Sequence, residues 1–219
     1  TNMLSDFYSN YEPVLNTGSA ASADIDGDCD MDVVIDRGDV SRIGVYLNNN
    51  GVFTLASDNY GLSLVSDLAP VALVDLNGDS WPDLFVGNIL TAAPTIWFND
   101  GKGSFIQQVD TGIQVSRKTL SGAFSDVDND GDMDVFLSHW DQGAPLEEVH
   151  LWLNDGAGYF TAAGSEFGFS GQFGERDFTF TPNFADMNGD GLTDLLSAAD
   201  FIRTQVYQKN VDGGFRNVT

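Results

Sequence analysis

A nine-residue pattern, D-x-[DN]-x-D-x-x-x-D, occurs four times in this chain: DIDGDCDMD from Asp24, DLNGDSWPD from Asp75, DVDNDGDMD from Asp126 and DMNGDGLTD from Asp186. The starts lie 51, 51 and 60 residues apart. Such a period marks stacked supersecondary units, none of which buries its apolar face alone. The pattern also sets an electrostatic condition. Two carboxylates 4 Å apart repel by about 4 kcal/mol at an effective dielectric near 20. The fold must therefore bring something that offsets the repulsion.

Each cluster runs into a short apolar stretch: VVI at Val33, LFV at Leu84, VFL at Val135 and LL at Leu195. A second signature follows, VYLNNNGVF, IWFNDGKGSF, LWLNDGAGYF and the looser VYQKNVDGGF. An apolar strand, an Asn/Asp/Gly turn and a strand opened by Phe53, Phe105, Phe160 or Phe215 make a hairpin signal. A further candidate strand precedes each cluster, clearest in PVALV and SGAFS. Each unit thus offers four short antiparallel strands, and no stretch reads as a helix of three turns. The expected fold is all-β, a β-propeller of four-stranded antiparallel blades with four repeats in this chain. The 219 residues are read as one domain, 1–219, with blades of approximately 1–56, 57–109, 110–162 and 163–219. Near-continuous apolar runs such as DLFVG suit strands covered on both faces. Tyr46, Trp97, Trp152 and Tyr207 fall at one equivalent position and are expected to pack between blades, not to form a sugar platform.

Oxygen donors at positions 1, 3, 5 and 9, with a backbone carbonyl at 7, form the hard-ligand set that calcium takes. Magnesium tolerates all-protein cages poorly. An EF-hand needs flanking helices and a glutamate at position 12, where this chain has Ile35, Val86, Leu137 and Ser197. A dockerin-like duplicated loop needs helices too. A solvated acidic turn without metal would explain one cluster better than four in register. The loops at Asp24 and Asp126 carry four carboxylates; the other two have Asn77 and Asn188 at position 3. The first pair is expected to bind more tightly. At position 6, where glycine eases the turn in Gly131 and Gly191, Cys29 and Ser80 are expected to introduce strain.

This architecture resembles the FG-GAP/VCBS repeat of integrin-like β-propellers. The resemblance implies calcium, about four ions, one per repeat, held between the first two strands of each blade. It implies as side-chain ligands Asp24, Asp26, Asp28 and Asp32; Asp75, Asn77, Asp79 and Asp83; Asp126, Asp128, Asp130 and Asp134; and Asp186, Asn188, Asp190 and Asp194. The carbonyls of Asp30, Trp81, Asp132 and Leu192 would complete the sets. The chain departs from the family in lacking the "GAP" element and in its degenerate last hairpin. Such propellers usually have about seven blades. Four repeats leave a segment of a longer propeller, a small ring, or two chains pairing as a homodimer.

The balance of 33 acidic against 9 basic residues, a net charge of -24, opposes association with nucleic acid and anionic membranes. At 42% hydrophobic the chain is too apolar for an acidic disordered tail. No apolar run spans a bilayer, so no membrane insertion is expected, and TNMLSDFY lacks the pattern of a signal peptide. Cys29 is the sole cysteine, which precludes an internal disulfide. Strand directions put the acidic loops and the hairpin turns on one rim. The opposite rim, roughly 36–43, 57–70, 88–94, 108–120, 138–148, 162–181 and 199–204, holds Arg37, Arg42, Arg117, Lys118, Arg176 and Arg203. His139, Trp140, Asp141, Arg176 and Arg203 are the candidate contacts there for a protein or glycan ligand. The basic residues could equally be filling whatever positions the acidic loops leave.

No catalytic set is diagnostic, although Glu147 and Glu148 near His139 admit an acid/base pair. The expected function is therefore non-enzymatic: an extracellular, secreted or cell-surface module for recognition or adhesion, suited to millimolar calcium. The alternatives are part of a carbohydrate-active enzyme, a polysaccharide lyase or hydrolase, and a purely structural repeat of a larger assembly. The RGD at Arg37–Asp39 is expected to be a chance tripeptide. The sequon at Asn217 matters only in a glycosylating host.

Overall fold

The computed structural model describes residues 19–36, 43–56, 62, 70–88, 93–115, 118–142, 149–169, 176–199 and 203–219. Among these there are sixteen strands and no helix. The first sheet holds β1 (Ala20–Ala23), β2 (Asp32–Asp36), β3 (Ile43–Asn49) and β4 (Val52–Ala56). The second holds β5 (Val71–Val74), β6 (Asp83–Val86), β7 (Thr95–Asn99) and β8 (Phe105–Gln108). The third unit consists of β9 (Lys118–Ser125), β10 (Asp134–Gln142), β11 (Leu151–Asn154) and β12 (Phe160–Ala163). The fourth consists of β13 (Arg176–Ala185), β14 (Asp194–Ala199), β15 (Gln205–Lys209) and β16 (Phe215–Asn217). Every pairing is antiparallel between chain neighbours, apart from one between β10 and β13.

That exception joins the last two units. β10 pairs β9 from Asp134 to Trp140, β11 at Val135 and Phe136, and β13 at Trp140, Asp141 and Gln142. The third and fourth units thereby make one eight-stranded sheet. Among the described residues no strand of the first unit pairs with the fourth, and no closed ring of sheets is formed by strand pairing.

Three apolar clusters hold the series together, each shared by consecutive units. Ile25, Val34 and Val45 pack with Leu84, Trp97 and Phe105. Leu76, Phe85 and Ile96 pack with Val135, Trp152 and Phe160. Val127, Phe136 and Leu151 pack with Leu195, Tyr207 and Phe215. The same repeat positions recur in all three: position 2 of the acidic loop and the middles of strands two and three from one unit, the hairpin aromatic and the strand-opening phenylalanine from the next. Residues of each intervening connection, Leu62, Ile113 and Phe169, enter the same clusters. The aromatic position therefore packs as the sequence implies: Trp97, Trp152 and Tyr207 are buried, and Tyr46 is half-buried.

A polar contact accompanies two of these joints. The Asn99 amide donates to the carbonyl of Ile25, and the Asn154 amide to that of Leu76, each at 2.9 Å. Both asparagines are almost fully buried. Their second acceptors lie in their own units, Pro82 at 3.3 Å and Met133 at 3.2 Å. The Oδ1 atoms accept from Gly101 and Gly158 in the hairpin turns. One side chain thus fixes its own turn and the preceding unit. Replacing Asn154 with alanine leaves the Leu76 carbonyl buried without its donor. Urea denaturation should show a loss of about 1–3 kcal/mol, with far-UV circular dichroism unchanged at zero denaturant.

Candidate metal centres

Each acidic loop connects the first two strands of its unit, as expected. Its conformation follows from backbone chemistry. Residues at loop positions 4 and 6 have positive φ in all four copies: Gly27 and Cys29, Gly78 and Ser80, Asn129 and Gly131, Gly189 and Gly191. The strain expected at Cys29 and Ser80 is present, with φ of 71° and 72°. Position 4 escaped the sequence reading, although a Gly/Gly/Asn/Gly series was available as its signal. Gly27 has a further constraint, since a β-carbon there would stand 2.7 Å from Cη2 of Trp81.

The position-1 carboxylate organises the turn. Asp24 accepts from the N–H of Gly27 at 2.7 Å and of Cys29 at 3.0 Å; Asp75 accepts from Gly78 and Ser80, both at 2.8 Å. Asp126 accepts from Asp130 and Gly131, and Asp186 from Gly189, Asp190 and Gly191. The position-3 side chains accept from the N–H two residues on, and so do those at position 5. The latter bonds hold the backbone of Asp30, Trp81, Asp132 and Leu192 beside the cluster.

Position 9 differs. Asp32, Asp83, Asp134 and Asp194 are completely buried. One oxygen of each accepts from the position-2 N–H of the loop: Ile25 at 2.8 Å, Leu76 at 2.9 Å, Val127 at 2.7 Å and Met187 at 3.1 Å. The other accepts from the third strand: Asn48 at 2.8 Å, and Asn99, Asn154 and Lys209 at 2.9 Å. This tie between loop and hairpin was not legible in the spacing. Each carboxylate oxygen retains a second lone pair, so the tie is compatible with cation ligation.

Carboxylate oxygens from Asp24, Asp26 and Asp28 all lie within 4.8 Å of one another, and so do those from Asp126, Asp128 and Asp130. Oxygens ligating one calcium at about 2.4 Å can be no more than about 4.8 Å apart, so both triads fit around a single ion. Burial, then the charges of Asp32 and Asp28, push Asp26 above the ordinary carboxylate range. Burial, then the Asp130 charge, do the same to Asp128. In the other two loops an amide relieves part of the crowding: Asn77 donates to Asp79 at 3.1 Å and Asn188 to Asp190 at 2.9 Å.

The proposed ligand-rim residues fare differently. His139 lies inside β10, fully buried, with Nε2 3.4 Å from the Val149 carbonyl and its ring 4.8 Å from that of His150. Trp140 and Asp141 are strand residues paired with Phe178 and Asp177 of β13, which begins at Arg176. The stretch from Ser138 reads as a polar connection in sequence. The structure corrects this: backbone pairing with β9 and β13 carries it on as strand, and it seals the polar Ser138 and His139 inside. Arg203 is exposed, as is Lys118. Arg37, Arg42, Arg117, Glu147, Glu148 and the RGD lie outside the described residues.

These features define a class, a repeat of four-stranded antiparallel units each opened by an acidic loop. The chain belongs to the FG-GAP-like repeat family, whose model matches residues 24–86 and again 75–137. No curated protein matches it in sequence. Among solved structures, a Photorhabdus luminescens Tc holotoxin pore aligns with 95% of this chain at 19% identity and a TM-score of 0.39. The alignment spans 9% of that chain's length.

Two outcomes follow from this geometry. Substituting glycine for Cys29 or Ser80 removes a left-handed non-glycine residue, and each change should raise stability by about 1 kcal/mol; chemical denaturation checks this. Burial pushes Asp83 and Asp134 up to about 6 from 3.8. A raised folded-state value means that the metal-free native state binds more protons than the unfolded chain. The stabilisation from protonating these two groups is full below pH ~3.8 and lost as pH rises through ~6. Asp186, held low by the Gly191 N–H, titrates below that window. In EGTA the melting temperature should therefore fall between pH 4 and pH 7, as scanning calorimetry would record.

Proposed function

We propose that this chain is a calcium-dependent β-propeller segment, an extracellular recognition or adhesion module and not an enzyme. The observation that carries the reading is the convergence of carboxylate oxygens in loops of one repeated conformation. The donors are all hard oxygens, and two triads have the span that a calcium ion requires. Positions 1, 3, 5 and 9 with the position-7 carbonyl would hold one ion per loop, four in all. Burial, and after it the charges of neighbouring aspartates, raise Asp26 and Asp128, and a bound ion would offset both. It also favours the ionised state of Asp83 and Asp134, which burial alone opposes. Calcium at extracellular levels suits such exposed loops. Packing of successive sheets through equivalent residues supports blade-like stacking.

The ligand surface on this reading is the rim away from the acidic loops, where Lys118 and Arg203 are exposed. His139 serves the scaffold there. A protein or glycan would be bound by connections set on rigid sheets.

Isothermal titration should find about four calcium ions per chain, with the Asp24 and Asp126 loops tighter than the Asn77 and Asn188 loops. Calcium at a hundredfold excess over Kd adds about 2.7 kcal/mol of stability per site, so EGTA should lower the melting temperature sharply. An unchanged melt with and without EGTA would refute the reading. A glycan and protein array probed with and without calcium tests the recognition role.

A further inference from the structure

Trp81 stands at position 7 of the second acidic loop, where the other loops carry Asp30, Asp132 and Leu192. Its N–H donates to Asp79 at 2.9 Å, which fixes its backbone beside the acidic cluster. Its half-buried indole reaches across two turns. A β-carbon added at Gly101, in the hairpin of the same unit, would stand 2.5 Å from Cε2 and Nε1. One added at Gly27, in the acidic loop of the preceding unit, would stand 2.7 Å from Cη2 and 3.1 Å from Cζ3. The five-membered ring therefore lies on one glycine and the six-membered ring on the other. Both glycines have positive φ, so backbone conformation and the close approach of the ring select the same residue type.

Gly27 is central to the first loop. It lies between Asp26 and Asp28, and its N–H donates to Asp24 at 2.7 Å. The ring thus presses on the residue that spaces three carboxylates whose oxygens converge. The next joint is built differently. A β-carbon at Gly78, the equivalent of Gly27, would meet the Gly156 carbonyl at 3.5 Å and no atom of Asp132 within 4 Å. Asp132, at position 7 there, rests on Gly156 of its own hairpin.

We propose that Trp81 is a positioning residue that couples cation binding in the first two loops, so that filling either one tightens the other. The inference rests on the calcium reading above and adds a link between two of its sites. Trp81 offers its carbonyl to the second site and its ring to the conformation of the first. A closed second loop holds that carbonyl, and with it the ring, in one place. The ring then keeps Gly27 in the left-handed turn that lets Asp24, Asp26 and Asp28 face one another. Coupling of this kind passes through packed groups and is reciprocal.

The amides of Gly27 and Gly78 each donate to the position-1 carboxylate of their own loop. Their nuclear magnetic resonance signals in the isotope-labelled full chain therefore report the two sites separately during a calcium titration. Asp79→Asn keeps an oxygen for the Trp81 N–H and removes a charge from the second site. It should raise the calcium midpoint at Gly27 about fivefold or more, and Asp28→Asn should raise the Gly78 midpoint by the same factor. Trp81→Leu keeps the carbonyl, installs the residue that the fourth loop already carries there, and is too short to span both glycines. In that background Asp79→Asn should have no further effect at Gly27. Asp130→Asn removes the same charge from the third loop and should leave the Gly27 midpoint where it was. Far-UV circular dichroism shows that each variant is folded. If calcium fills both loops and Asp79→Asn leaves the Gly27 midpoint unmoved, the coupling is overturned and the calcium reading stands. A shift that persists in full with Trp81→Leu, or that Asp130→Asn reproduces, also overturns it, because the path then bypasses the ring. Glycine amides that do not respond to calcium at all overturn both.

Discussion

Four buried aspartates hold the structure in register. Asp32, Asp83, Asp134 and Asp194 each take one N–H from the acidic loop and one from the third strand. A carboxylate removed from water is tolerated only when it is well hydrogen-bonded or paired. Each here meets that demand by joining two segments that no covalent link holds together. The loop cannot drift from the hairpin without stranding a buried charge. The position of the loop's other oxygens relative to the sheet follows from this tie.

The remaining carboxylates set the opposing force. Positions 1, 3 and 5 bend back on their own N–H groups, so the chain wraps a small volume rimmed with oxygen. Left-handed residues at positions 4 and 6 make that wrapping possible. The two asparagine loops supply an internal amide donor against one carboxylate, whereas the two all-aspartate loops have none at that position. Charge and need for a counter-ion are therefore both greater in the first and third loops than in the second and fourth. The asparagines that close the hairpin turns carry this local order across to the preceding sheet.

Much of the fold was legible because the repeat fixes it locally. The loop boundaries, the hairpin turns and the phenylalanine-led fourth strands follow from residues within ten positions of one another. The burial of Trp97, Trp152 and Tyr207 follows from their equivalent mid-strand places. The misreading fell where local polarity and tertiary pairing disagree. Ser138, His139 and Trp140 look like a connection, but β9 pairs with all three, and β13, some forty residues later, takes up the ladder from Trp140. The double duty of Asn99 and Asn154 was equally hidden, since the acceptors lie 74 and 78 residues away.

The sequence by itself determined that four like units exist, where each turns, and which oxygen donors each acidic loop carries. Those features depend on short-range backbone chemistry and on periodicity. Only the tertiary structure decided which aspartate oxygens are taken by backbone N–H groups, that His139 is walled in, and which asparagines reach the preceding unit. Those depend on contacts between units, and a residue's burial is set by neighbours that its own repeat does not contain.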